Sequence, residues 1–101
     1  ICLWATHKIT IGNHVKVGAD SLIFDTDAHH LNYLCRRGAD DVGNSAPIVI
    51  EDDVLIGTRC VILKGVTIGA RCVIGSGSVV TKSIPSDCIA AGNPCKIIRR
   101  I

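Results

Sequence analysis

The stretch Ile48–Ser83 reads IVIEDD VLIGTR CVILKG VTIGAR CVIGSG SVVTKS, six blocks of six residues without a break. The third place of each block holds Ile50, Ile56, Ile62, Ile68, Ile74 and Val80. The first place holds Ile48, Val54, Cys60, Val66, Cys72 and Ser78, all small or β-branched. A helical face needs apolar spacings of three and four, so a period of six excludes helix. Within a block, places one and three lie on one face of a short strand and place two on the other. Gly57, Gly69 and Gly75 follow the third place. Glycine there permits either a positive-φ turn or close backbone packing at a corner. Strand and corner in alternation wind a chain into a prism, and hexapeptide repeats of this kind predict a parallel β-helix. Three blocks make one triangular coil, and coils stack at about 4.8 Å.

Toward the N-terminus the runs ITIGNH (Ile9–His14) and VKVGAD (Val15–Asp20) have the same form. Between them and Ile48 the register is lost, because Ile23 to Ile50 spans 27 residues, which is not a multiple of six. Residues from 24 to about 46 therefore leave the prism as one extruded loop. Arg36, Arg37, Gly38, Asp40, Asp41, Gly43 and Asn44 make it polar and turn-rich. A loop of that length in a compact repeat is characteristically functional or disordered. It opens with FDTDAHH, Phe24–His30, which packs two aspartates and two histidines into seven positions.

Place two of each block should face outward, yet it reads Val49, Leu55, Val61, Thr67, Val73 and Val79. Exposed apolar rows on that scale mark association, which predicts an oligomer. The 101 residues suit one domain. Only Trp4, Phe24 and Tyr33 are aromatic, so the core must be filled by small branched side chains. No apolar run approaches the roughly 20 residues that span a bilayer, and no signal peptide opens the chain. Six cysteines without a CxxC pair, two of them in apolar repeat places, read as reduced structural thiols in a cytoplasmic protein. Methionine is absent, so Ile1 reads as a processed start or as the start of a fragment. Residues 1–53 carry eight acids and four bases, and residues 54–101 one acid and seven bases, so the second half favours an anionic partner.

The segments IGTRCVILKGVTIGARCVIGSG, GSVVTKSIP and AAGNPCKII resemble the hexapeptide acyltransferases, and the last two resemble the final coil and tail of sugar O-acetyltransferases. The resemblance implies an all-β, left-handed parallel β-helix with a short C-terminal tail, assembled as a homotrimer with active sites between subunits. Its hand comes from the resemblance alone, since most parallel crossovers are right-handed. The activity implied is transfer of an acetyl group from acetyl-CoA to a hydroxyl of a sugar or glycan precursor. In that family a histidine general base sits in the loop leaving an early coil, and FDTDAHHL places His29 there. His30 takes that place if the alignment moves by one residue. Imidazole suits the task because it titrates near neutrality, accepts the hydroxyl proton and returns it to the departing thiolate. Asp25 and Asp27 either orient the imidazole or sugar, or cap turns. His7 and His14 read as surface residues.

By the same resemblance acetyl-CoA would lie between subunits near Thr58, Ser76, Thr81, Lys82 and Arg99, with Lys82 and Arg99 at its phosphates. At Thr58 and Ser76 the main chain competes with the side chains for that contact. Leu55 stands where many sugar acetyltransferases carry an aromatic, and the abrupt start at Ile1 suggests that an acceptor-side segment is missing. Zinc is the sharpest rival, since γ-class carbonic anhydrases of this fold ligate zinc through IGHxxxxH. Here IGTRCVIL puts Thr58 and Leu63 in the histidine places, and adjacent His29 and His30 alone make no three-ligand site. No metal is expected. Nucleic acid is disfavoured because no aromatic platform accompanies the basic residues. The remaining alternatives are a different acceptor, such as an amino sugar or serine, and a non-catalytic trimerisation module.

Overall fold

Twelve short strands and one helical turn make up the computed structural model, which describes residues 1–101. In chain order they are β1 Cys2–Trp4, β2 Ile9–Ile11, β3 Lys16–Val17, β4 Leu22–Phe24, α1 Tyr33–Arg36, β5 Ile48–Ile50, β6 Leu55–Ile56, β7 Val61–Ile62, β8 Thr67–Ile68, β9 Val73–Ile74, β10 Val79–Val80, β11 Cys88–Gly92 and β12 Cys95–Arg100. The strands sort into three parallel faces, β2-β5-β8, β3-β6-β9-β11 and β1-β4-β7-β10. Leu55 pairs with Val73 and Val61 with Val79, each an offset of 18 residues, so three blocks close one coil. The result is a left-handed parallel β-helix.

Places one and three of the blocks point inward, as alternation along a strand requires. Ile50, Ile56, Ile62, Ile68, Ile74 and Val80 are all at most 1% exposed, and so are Ile48, Val54, Cys60, Val66 and Cys72. On the third face the first place is small, held by Ser21, Cys60 and Ser78, and the two serines are buried polar residues. Ser21 Oγ donates to the Gly57 carbonyl at 3.0 Å and accepts from Cys60 N–H at 3.2 Å, so neither polar atom is stranded in the core. Place two is half-buried or exposed, and Leu55 keeps 46% of its surface in solvent.

The corners resolve the two readings of the repeat glycines. None of Gly57, Gly69 and Gly75 has positive φ. A Cβ on Gly57 would lie 2.6 Å from the backbone nitrogen of Ser76, one coil on, so the glycine is there for close approach. Positive φ falls two places later, at the sixth position, on Asp53 (60°), Arg59 (55°), Gly65 (77°), Arg71 (61°) and Gly77 (75°). The three that are not glycine, Asp53, Arg59 and Arg71, are exposed, so their side chains leave the coil stack undisturbed.

Residues 25–46 leave the prism at the corner between the third and first faces, one residue later than the broken register predicts, since Phe24 still pairs with Trp4. The loop is tied at its root, where Ala46 N–H donates to Asp25 C=O at 3.0 Å and Asp27 N–H to Asn44 C=O at 2.9 Å. The C-terminal end is more than a tail. β11 continues the stack against β9, and β12 then folds back antiparallel on β11.

Candidate functional site

The loop builds its site from backbone constraints first. Thr26 Oγ1 accepts from Ala28 N–H at 3.0 Å, and Ala28 takes a left-handed φ of 64°, which turns the chain sharply before His29. Gly43 runs directly beneath. A Cβ there would sit 2.8 Å from His29 N, so only glycine lets the two strands of the loop approach this closely. Asn32 caps α1, its Oδ1 accepting from Leu34 N–H at 2.9 Å. The Arg36 guanidinium reaches back to the carbonyls of His30 at 3.1 Å and Leu31 at 3.0 Å, holding the helical turn against the histidine pair.

The two histidines are chemically distinct. His29 Nδ1 lies 2.7 Å from Asp41 Oδ2, and the other Asp41 oxygen accepts from His30 N–H at 2.7 Å. With a carboxylate at Nδ1, that nitrogen carries the proton and Nε2 keeps the free lone pair. The His29 side chain is 69% exposed, so Nε2 is reachable. His30 is wired the other way. Its Nδ1 accepts from Asn32 N–H at 3.0 Å, so in the neutral ring the proton sits on Nε2 and no lone pair is left for a substrate. The Asp41 carboxyl is held below its ordinary range by the His30 backbone N–H, and next by the hydrogen bond from His29. It stays an anion where His29 needs one.

Neither aspartate of FDTDAHH touches an imidazole. Asp25 is fully buried, and its carboxylate accepts from the backbone N–H groups of Thr6 at 2.8 Å, His7 at 2.7 Å and Lys8 at 2.7 Å. It caps the turn that leads into β2. Asp27 Oδ1 pairs with Lys64 Nζ at 3.0 Å, and its Oδ2 is buried without a partner. The carboxylate that orients His29 is Asp41, twelve residues on, which sequence reading named only as part of a polar loop. Its one sequence signal was an acid two residues before Gly43 at the far end of an excursion that had to close on itself. His14 lies on a corner with φ 57°, and both it and His7 are exposed.

A cavity of about 480 Å³ opens beside His29, lined by Tyr33, Arg36, Arg37 and Asp41. The residues considered for the acyl donor lie elsewhere on the prism. Ser76 Oγ accepts from Thr58 N–H at 3.2 Å, which joins those two on the corner between the second and third faces. Thr81 and Lys82 follow β10 on the next corner, the one that also carries Lys64 and the loop root, and both are exposed. Arg99 is exposed on β12, and neither it nor Lys82 has a carboxylate within ion-pair distance. Thr58 and Ser76 thus share one edge of the prism, and Thr81 and Lys82 another. No three His, Cys, Asp or Glu side chains converge in a way that would hold a metal ion.

The bacterial transferase hexapeptide (six repeats) pattern matches residues 47–82. The galactoside O-acetyltransferase of Escherichia coli is 41% identical over 94% of this chain and 45% of its own length. A 2,3,4,5-tetrahydropyridine-2,6-dicarboxylate N-acetyltransferase of Staphylococcus aureus is 35% identical over 87% of this chain and 31% of its own. Among solved structures, a hexapeptide-repeat acetyltransferase of Vibrio cholerae complexed with acetyl coenzyme A superposes with a TM-score of 0.83. It is 38% identical and is covered over 60% of its length by 98% of this chain. The chain belongs to the hexapeptide-repeat acyltransferase family. It spans less than half the length of these two curated relatives.

Proposed function

We propose that this chain is the β-helix of an acetyl-CoA-dependent acetyltransferase that acts on a sugar hydroxyl, with His29 as general base. The observation that carries the reading is the Asp41–His29 bond at 2.7 Å, which fixes the imidazole with Nε2 as its only available lone pair. Nε2 takes the proton from the acceptor hydroxyl as its oxygen attacks the thioester carbonyl. The C–S bond then breaks, and the imidazolium returns the proton to the leaving thiolate, giving an acetyl ester and free CoA thiol. Asp41 stabilises the imidazolium between the two transfers, as a buried or half-buried carboxylate does for a histidine base. No enzyme nucleophile is needed, so Cys35 stays outside the chemistry.

Lys82 and Arg99 fit the phosphates of the donor because both are exposed cations without an ion-pair partner. Thr58 with Ser76, and Thr81 with Lys82, occupy different edges of one prism, so a donor lying between two subunits would touch one edge from each. That supports a homotrimer, as do the apolar outer positions Leu22 and Leu55, which are 40% and 46% exposed. The six free thiols fit a reducing, cytoplasmic setting, and no helix is long and apolar enough to cross a membrane.

The test is acceptor-dependent thiol release from acetyl-CoA, with His29→Ala and His30→Ala side by side. Loss of a general base lowers the rate by about 10²–10⁴-fold, and this loss is expected for His29→Ala alone. An equal loss in His30→Ala only, or no acceptor-dependent release from the parent protein, removes the reading. The similarity to an N-acetyltransferase favours including amino sugars in the panel, since the same base would serve an amine.

A further inference from the structure

Resting on the reading of His29 as the base beside an acceptor cavity, we propose that the acceptor is anionic, a sugar carrying a carboxylate or phosphate group bound by Arg37. The cavity of about 480 Å³ beside His29 is lined by one apolar residue, Tyr33, and four polar ones. Two of those, Arg36 and Arg37, are guanidinium groups, and neither has a carboxylate within ion-pair distance. The single acid on the wall, Asp41, is already committed through both oxygens, to the His29 ring and to the His30 N–H. The cavity therefore presents two guanidinium charges against the single carboxylate charge of Asp41, an excess of one positive charge.

The two arginines divide the work. Arg36 spends its Nη1 on the carbonyls of His30 and Leu31, which fix its position, and its charge faces the Asp41 carboxylate without an ion-pair contact. Arg37 makes no such bond. Its guanidinium stacks over the Tyr33 ring at 5.5 Å from the centroid, which presets the side chain without occupying its donors. A stacked, pre-positioned guanidinium with its fork free is built for bidentate contact with a carboxylate or phosphate. A neutral sugar offers nothing that requires it. The volume falls within the range of small-molecule sites, about 300–1,000 Å³, so a charged sugar and its hydroxyl have room to reach Arg37 and His29 together.

The test separates binding from turnover. Glucose, glucuronate and glucose 6-phosphate are titrated into the protein by calorimetry, and then into Arg37→Gln, Arg37→Lys and His29→Ala. Expected are binding of at least one anionic sugar at least about tenfold tighter than glucose, with the two anions distinguishing carboxylate from phosphate, loss of that preference in Arg37→Gln, and an intermediate value in Arg37→Lys, which keeps the charge but not the fork. His29→Ala should keep the preference while losing acetyl transfer, so failure of the base and failure of the anion site give different results. Equal affinity for charged and neutral sugars, no binding of any of them, or a preference that survives in Arg37→Gln overturns the proposal.

Discussion

Lys64 Nζ lies 3.0 Å from Asp27 Oδ1, an ion pair that ties the extruded loop to the corner of the second coil. Only Ala28 separates Asp27 from the histidine pair, so this contact anchors the N-terminal arm of the loop at the point where it turns toward His29. Both partners are mostly buried, with side-chain exposures of 35% and 21%, and Asp27 Oδ2 has no other partner to fall back on. Lys64→Met keeps the packing of the aliphatic stem and leaves the carboxylate alone. A loss of roughly 1–3 kcal/mol is expected, concentrated in the loop. Urea unfolding gives the stability, and the rate of tryptic cleavage after Arg36 and Arg37 reports the loop itself. Unchanged cleavage would show that the pair does not hold the loop.

On the proposed reading of His29 as the base, Asp41 is a positioning residue, and Asp41→Asn tests it without removing volume. Both oxygens of the carboxylate face N–H donors, so one amide end of the asparagine must either face a donor or turn away. The tautomer of His29 is then no longer imposed. Acetyl transfer should fall about 10²-fold or more, through kcat rather than through KM for acetyl-CoA. Nitrogen NMR of His29 supplies the readout that a merely structural role would not move: a proton on Nδ1 in the parent protein and a mixture in the variant.

Asp25 makes stability depend on pH. Burial alone would raise its pKa, but the N–H groups of Thr6, His7 and Lys8 together outweigh burial and hold it below the ordinary value. A carboxyl whose folded pKa lies below the unfolded one, about 3.9, binds more protons when unfolded, so its stabilisation is complete above that value. The stabilisation is lost as pH falls through the folded pKa. Urea midpoints measured from pH 6 to pH 3 should decline steeply for the parent protein. Asp25→Asn should be about 2–4 kcal/mol less stable at pH 6 and show a shallower decline. Parallel curves would assign the acid sensitivity elsewhere.

Gly57 and Arg59 make opposite demands at one corner. A Cβ at Gly57 meets the Ser76 nitrogen at 2.6 Å, so Gly57→Ala must push two coils apart, at a cost of about 1–3 kcal/mol. Arg59 holds a φ of 55° with its side chain exposed. Arg59→Gly relieves the left-handed strain and adds chain entropy to the unfolded state, so a net change within about 1 kcal/mol is expected. Thermal unfolding of the two variants checks the assignment. A larger loss in Arg59→Gly than in Gly57→Ala would reverse it.

Much of this architecture is legible in one dimension. A period of six with branched residues at places one and three places those side chains on one side of every strand, and Ile50 through Val80 are buried in that order. The break between Ile23 and Ile50 marks the excursion to within a residue or two, because a coil cannot close on a count that six does not divide. The candidate base could be singled out because His29 stands at the mouth of that excursion in a run that resembles a known motif. The pairing of β12 back onto β11 was less legible, since CKIIRR has no alternation that separates a strand from an extended tail.

Local spacing therefore determines the prism, its coil length, its core residues and the place where the loop departs, since each depends on neighbours a few residues apart and on the pleat of a strand. Only the tertiary structure decides which carboxylate serves which partner. Asp25 sits four residues from His29 but is buried on the N–H groups of residues 6–8, while Asp41, twelve residues away, closes onto the imidazole because Gly43 lets the two arms of the loop touch. An irregular loop has no repeat from which such a closure can be counted. Its side chains find their partners through packing and hydrogen-bond satisfaction across the whole fold.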